Sequence, residues 1–347
     1  MEPVVLVSLV VLVLAVTVSV RSARRRAKRR RHAEQEHAGL LAAPRHAPGV
    51  GPPPVFGAAP PAHRPVQSAS PAPPALGSLG RFRLTARLGQ GGMGTVYLGL
   101  TPGGRPVAVK VINPELAVDP GFRRRFAREV EAARTVGGFH TAPVVDADPH
   151  GDPPWLATEY IPGPSLQEVL QRHGAVPVRT LHALAAGIAE ALAEIHGSGV
   201  IHRDLKPSNV IVSGTGPRLI DFGIAQLADG TQLTSTGFVI GTPGFVAPEQ
   251  LSGAPVTSAV DLYAFGMVLC HAAGAAPFPQ GTSLESALGM LPTQLAGIIA
   301  RCLDHDPGRR PTASDVLRQL SGVQAPVDDW LPPPVRTMVD GHHLPGA

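Results

Sequence analysis

The sequence predicts an α+β fold class over about residues 82–321 of a 347-residue chain. Three observations predict it. Apolar residues alternate along short segments up to residue 113, the period of a strand. They then recur at i, i+4 over 119–136 and form a long amphipathic run over 178–197, the period of a helix. Ahead of both stand an unbroken apolar run and a proline-rich stretch, neither patterned like a folded core.

The apolar run is PVVLVSLVVLVLAVTVSV, residues 3–20. As a helix it rises about 27 Å, close to the roughly 30 Å hydrocarbon core of a bilayer. A cleaved signal peptide would carry its basic residues ahead of the run and a small-residue cleavage site behind it. Here the basic segment RSARRRAKRRR, residues 21–31, comes after the run. The expectation is a single transmembrane helix at the cell membrane, with residues 21 onward cytoplasmic by the positive-inside rule. Residues 1–31 hold eight Lys/Arg and one acid, whereas the remainder holds 22 basic and 25 acidic residues. The formal charge of +4 is therefore local. It suits anionic lipid beside the anchor, and no nucleic-acid partner is expected.

Residues 32–80 contain eleven Pro and six Gly, and no acid occurs between Glu36 and Glu115. Such a segment buries too little surface to fold and reads as a linker. The tail, residues 322–347, reads as irregular. Cys270 and Cys302 lie in apolar helical stretches without metal-ligand spacing, and read as buried thiols in a reducing compartment.

Within the folded unit, RLGQGGMGTVYLG (87–99) suggests two strands joined by a glycine turn. Gly89, Gly91 and Gly94 form G-x-G-x-x-G, which lets a backbone approach a phosphate but also suits a plain hairpin. A dinucleotide fingerprint would need a helix next, whereas Val96, Tyr97 and Leu98 read as strand. RPVAVKVIN (105–113) is another strand and carries Lys110 among apolar neighbours. The helix over 119–136 has Asp119 as N-cap and Pro120 at N1, with Phe122, Phe126, Val130 and Ala133 on one face. Glu129 borders that face and is the expected partner of Lys110. A strand ending in a Gly/Pro-punctuated turn over 154–166, the helix over 178–197 and an apolar helix opening at 261–269 complete the pattern. Between the last two come VIHRDLKPSNVIV, PRLIDFGIAQ and GTPGFVAPEQ.

In this order, the glycine loop, V-A-V-K ending at Lys110, H-R-D at 202–204 with Asn209, D-F-G at 221–223 and A-P-E at 247–249 resemble the bacterial serine/threonine protein kinases of eukaryotic type. The resemblance implies a bilobal protein-kinase fold: an N-lobe antiparallel sheet plus one helix, a helical C-lobe, and ATP between them. It implies Mg²⁺, with Mn²⁺ as a substitute, and protein acceptors with Ser or Thr. Asp204 would accept the substrate proton and Lys206 would steady the γ-phosphate. Asn209 and Asp221 would hold metal. Leu88, Gly89, Gln90, Gly91, Gly92, Met93, Gly94 and Thr95 would lie over the nucleotide. Val96, Ala108 and Ile211 would sandwich the adenine. Glu159 and Ile161 would bond its edge through their backbone, with Thr158 guarding the back pocket. Glu249 would pair with Arg310, and Asp261 would brace the catalytic loop. His202 is expected to pack and hydrogen-bond.

Arg203 beside the catalytic Asp implies regulation by an anion. Thr234 and Thr236 are the expected autophosphorylation sites, ordering their loop through Arg203 in a transient homodimer. The chain departs from the family in the short connection over 277–286 and in GGFHTAPVVDADPHGDPP (137–154), which lacks an H-P pair. With the anchor ahead of the domain, the expected cue is internal or a membrane partner. A pseudokinase scaffold would lack one of Lys110, Asp204, Asn209 or Asp221. A small-molecule phosphotransferase would lack A-P-E and GTPGF. All are present.

Overall fold

The computed structural model describes residues 76–221, 244–275, 283–321 and 330–342. The apolar run 3–20, the basic segment 21–31, the linker up to residue 75, and Thr234 and Thr236 lie outside the described residues. No described helix is long and apolar enough to cross a membrane.

Six antiparallel strands form one sheet: β1 (Gly77–Leu79), β2 (Phe82–Gln90), β3 (Gly94–Leu100), β4 (Pro106–Ile112), β5 (Val144–Asp148) and β6 (Trp155–Glu159). Their order is β1-β2-β3-β4-β6-β5. In β4 the side-chain period of two turns Val107 and Val109 into a small core with Phe82 and Trp155. Ala108 and Lys110 therefore share the opposite face. Phe82 meets Trp155 edge-on, with centroids 5.7 Å apart. The β2–β3 register slips between Leu84 and Ala86 and again between Arg87 and Gly89, so the sheet curls as it approaches the glycine turn.

Two helices follow β4, α1 (Pro114–Ala117) and α2 (Pro120–Arg134). The cap of α2 is the expected one: Asp119 accepts from the Gly121 and Phe122 amides at 2.8 and 3.1 Å. Those two bonds hold its carboxyl below the usual aspartate value. Phe122, Phe126, Val130 and Ala133 are buried, as their spacing predicts.

The second layer is helical: α3 (Leu166–His173), α4 (Val178–Gly197), α5 (Pro248–Ser252), α6 (Ala259–Ala272), α7 (Leu284–Gly289), α8 (Thr293–Cys302) and α9 (Ala313–Leu320). Between α4 and α5 lies the two-stranded sheet β7 (Val210–Ser213) and β8 (Gly216–Leu219). The central helix α4 matches its predicted span, and α6 is buried on nearly every side. Burial pushes the Cys270 thiol up to about 11 and the Cys302 thiol up to about 12, so both are inert core thiols.

Two boundaries differ from the sequence reading. The linker expected over 32–80 gives way to β1 at Gly77, a three-residue edge strand that pairs with β2 and packs Leu79 against the small core. The tail expected to be irregular contains α10 (Pro333–Asp340). Trp330, Leu331 and Val335 are buried against the helical layer, a tertiary gain that the local proline-rich composition does not display.

Candidate active site

The segment from His202 to Asn209 leaves α4 and turns back into β7, closing in a 3₁₀ turn over Pro207–Asn209. Its conformation is held from below. Asp261, fully buried on α6, accepts from the backbone amides of His202 and Arg203 at 2.8 and 2.7 Å, and its Oδ2 lies 2.7 Å from His196 Nε2. Arg203 takes a φ of +62° and Asp221 a φ of +55°, costly conformations for residues with a Cβ, which surrounding contacts must fix. Burial pulls the His202 imidazole below its ordinary value, so it packs as a neutral ring.

Three side chains converge above this brace. Lys206 Nζ lies 3.0 and 2.8 Å from the two Asp204 carboxylate oxygens. Asn209 Nδ2 donates to the Asp204 carbonyl at 2.8 Å and to its Oδ2 at 3.0 Å. Asp204 is thus fixed by a cation and an amide.

Asp204 stands beside a cleft of about 430 Å³ between the sheet and the helical layer. Leu88, Val96, Ala108 and Ile211 give it apolar walls, Thr158, Glu159 and Ile161 supply the strand-to-helix connection, and Gly89, Asn209 and Asp221 also line it. The Glu159 side chain turns away to Arg105, 3.3 Å, and Arg218, 3.9 Å, and its amide donates to the Pro143 carbonyl at 2.9 Å, so the carbonyl is the backbone group it can offer the cleft. Gln90, Gly91, Gly92, Met93, Gly94 and Thr95 form the hairpin tip and do not line the cleft. Met93 instead packs partly against the main core. An added Cβ at Gly94 would stand 2.1 Å from the Val111 carbonyl oxygen, whereas at Gly89, Gly91 or Gly92 it would meet nothing within 4 Å. Packing demands glycine only at Gly94; the other three leave open space where a phosphate could approach.

Lys110 does not pair with Glu129. Its Nζ lies 3.2 Å from Asp221 Oδ2, and both Glu129 oxygens lack a hydrogen-bond partner among the described residues. Two carboxylates compete for one ammonium. The ammonium stands with Asp221, which is partly exposed, while burial pushes the carboxyl of the unpaired Glu129 up to about 7.

Away from the cleft, Arg310 makes a two-pronged bond to Glu249, Nη1 to Oε1 at 2.5 Å and Nη2 to Oε2 at 2.8 Å. Arg310 also donates to the carbonyls of Asp304 and Ala259, each at 2.9 Å.

A family model described as the protein kinase domain matches residues 82–320. The chain belongs to the protein kinase family. The chain is 48% identical over 279 residues to the probable serine/threonine-protein kinase PkwA of Thermomonospora curvata, a match covering 78% of this chain and 37% of that one. It is 44% identical to the serine/threonine-protein kinase AfsK of Streptomyces coelicolor, covering 76% and 35%. The chain therefore spans about a third of the length of these curated relatives. Among solved structures it resembles the Mycobacterium tuberculosis PknI kinase domain (C20A_R136N double mutant), at 30% identity and a TM-score of 0.58, covering 70% of this chain and 95% of that one. These likenesses place it with the bacterial serine/threonine protein kinases.

The kinase domain also uses residues that motif reading missed. Asn113 donates from its side chain to the Gly92 carbonyl at 2.9 Å, and its backbone amide donates to the Met93 carbonyl at 2.9 Å, tethering the glycine hairpin. Its signal was a lone amide at a strand end before Pro114. Gly163 takes a φ of +148° and an added Cβ would lie 2.3 Å from the Val212 carbonyl oxygen, so the connection below Ile161 can pass only as glycine. Ser165 and Glu168 form a capping box on α3, legible as S-x-x-E, and both line the cleft.

Among the described residues no cluster of three or more His, Cys, Asp or Glu could enclose a metal. The donors present suit Mg²⁺ all the same, since it takes few protein oxygens and completes its shell with phosphates and water. Asn209 commits its Nδ2 to Asp204, so its Oδ1 is the atom left to act as a ligand beside the Asp221 carboxylate.

Proposed function

We propose that the domain transfers the γ-phosphoryl group of ATP to a Ser or Thr hydroxyl of a protein acceptor. The observation that carries this reading is the Asp204–Lys206–Asn209 constellation beside a cleft that also exposes Asp221. Asp204 accepts the hydrogen bond of the acceptor hydroxyl and finally its proton. The hydroxyl oxygen bonds to phosphorus as the bond to the bridging oxygen breaks, and ADP leaves. Lys206 follows the charge on the transferring group, and Lys110 holds the other phosphates as a point charge. Asn209 and Asp221 would hold Mg²⁺ or Mn²⁺, which neutralises charge on the phosphate oxygens. The adenine would lie between Val96, Ala108 and Ile211, with its edge on the backbone of Glu159 and Ile161.

Incubation of the full chain with labelled ATP and Mg²⁺ tests this. Asp204→Ala should lower phosphate transfer by about 10²–10⁴-fold, the range for a general base. Equal transfer by wild type and Asp204→Ala would refute it.

Activation through Thr234 and Thr236 is part of the same reading, supported by the Arg203 side chain beside the catalytic segment. Mass spectrometry of active enzyme with both threonines unmodified would overturn it. Residues 3–20 and the basic run behind them support anchoring to a membrane with anionic lipid. Alkaline extraction should leave the full chain in the membrane pellet, and its release to the supernatant would count against an anchor.

A further inference from the structure

Every described residue lining the cleft lies between Leu88 and Asp221 except one, His342. It belongs to a segment, residues 330–342, that starts beyond the family match ending at residue 320. This segment is fastened to the helical layer. Trp330 and Leu331 are 3% and 0% exposed, and Thr180 Oγ1 in the first turn of α4 donates to the Trp330 carbonyl at 2.7 Å. Helix α10 then buries Val335 and packs against α3. At its end the Gly341 and His342 amides donate to the Thr337 and Val339 carbonyls, each at 3.0 Å, so the backbone at His342 is fixed.

His342 shares its part of the cleft with α3, whose Ser165 and Glu168 also line it just beyond Ile161 and Gly163. The C-terminal end of α10 carries partial negative charge, which disfavours a phosphate and tolerates a base or a ribose. Imidazole offers a donor and an acceptor to ribose hydroxyls and an aromatic face to a purine. The buried anchor meets the ordering cost before any ligand arrives, so a contact from His342 adds to affinity directly.

We propose that His342, positioned by the Trp330–Val335 anchor, contacts the nucleoside half of the bound nucleotide, making residues 330–342 a working wall of the nucleotide site. This rests on the nucleotide reading of the cleft. The contact is with base and ribose, so it serves adenosine, ADP and ATP alike.

The test uses the full chain. Binding of adenosine, ADP and ATP is measured by calorimetry, and KM for ATP, KM for the protein acceptor and kcat are measured at steady state. His342→Ala should weaken all three ligands by a similar factor, on the order of tenfold for about 1.4 kcal/mol. KM for ATP should rise with it, while kcat and the acceptor KM stay within about twofold. His342→Gln, which keeps a donor and an acceptor, should recover part of the loss. Val335→Asp, which detaches α10, should reproduce the ATP effect together with a lower Tm. Unchanged affinity in His342→Ala beside a wild type that binds would overturn this proposal alone. Tighter binding in His342→Ala would also overturn it, by making the segment an obstruction. A wild type that binds neither adenosine nor ATP would overturn the nucleotide reading itself.

Discussion

Lys110 Nζ stands 3.2 Å from Asp221 Oδ2, and Glu129 on the neighbouring helix is left without a hydrogen-bond partner among the described residues. The Lys110–Asp221 contact joins strand β4 of the sheet to the segment that follows β8. A phosphate reaching Lys110 has to compete with that carboxylate, so nucleotide binding and the choice of partner for Lys110 are linked.

Glu129 gives the domain a stability that depends on pH. Burial raises its carboxyl from the ordinary 4.5 to about 7, against the pull of Arg203 and then Arg125, Arg128 and Lys110. Between those two values the folded chain holds a proton that the unfolded chain has released. The stability this contributes is full below about 4.5 and is lost as pH rises through about 7. Melting curves should show wild type falling across this window relative to Glu129→Gln, whose neutral amide keeps the shape without titrating. Parallel Tm profiles for the two proteins would remove the titration from Glu129.

Asp261→Asn tests the brace under the catalytic segment. One carboxylate accepts from two successive backbone amides and faces His196. An asparagine can accept at one atom only and turns an N–H toward a donor, leaving a buried group unpaired. The positive φ at Arg203 then loses a contact that fixes it. Because Asp204 follows directly, a displacement of about 1 Å should lower kcat on the order of 10²-fold, with KM for ATP little changed. An unaltered kcat would show that the segment holds its shape without Asp261.

The Glu249–Arg310 pair should behave as a buried ion pair. Its side chains are 5% and 0% exposed, and two further guanidinium donors go to the Asp304 and Ala259 carbonyls. Arg310→Ala strands a buried carboxylate and should cost about 3–5 kcal/mol in urea unfolding. The double substitution Glu249→Leu with Arg310→Met should recover much of that loss, because neither charge remains to be desolvated. A double variant as unstable as the single one would assign the loss to packing around Tyr263, over which the guanidinium lies at 5.1 Å.

What could be read in advance follows from where each cause resides. The second helix was legible to within two residues because Asp119, Pro120 and the Phe122–Phe126–Val130 stripe all act inside it. The contacts among Asp204, Lys206 and Asn209 are likewise made within six positions of chain. Helix α10 escaped because its support is distant, Trp330 needing Thr180, 150 positions away; strand β1 escaped because three residues at the end of a proline- and glycine-rich stretch are too few to show a period. The partner of Lys110 escaped for another reason. Sequence shows which carboxylates the chain offers, not which of them the fold brings within reach of the ammonium.

The glycine hairpin separates two demands that one motif conceals. At Gly94 an added Cβ would stand 2.1 Å from the Val111 carbonyl oxygen, on the register where Gly94 faces Ile112. Gly94→Ala must therefore push β3 away from β4, and should cost roughly 1–3 kcal/mol as overpacking does. At Gly91 the same methyl meets nothing within 4 Å, and its φ is not positive, so Gly91→Ala should leave Tm unchanged. If the open space belongs to a phosphate, Gly91→Ala will nonetheless raise KM for ATP severalfold, because the methyl then stands between backbone amide and ligand. Thermal melts and ATP kinetics on both variants give the check. A Gly91→Ala enzyme with normal KM would mean that the hairpin backbone does not approach the nucleotide there.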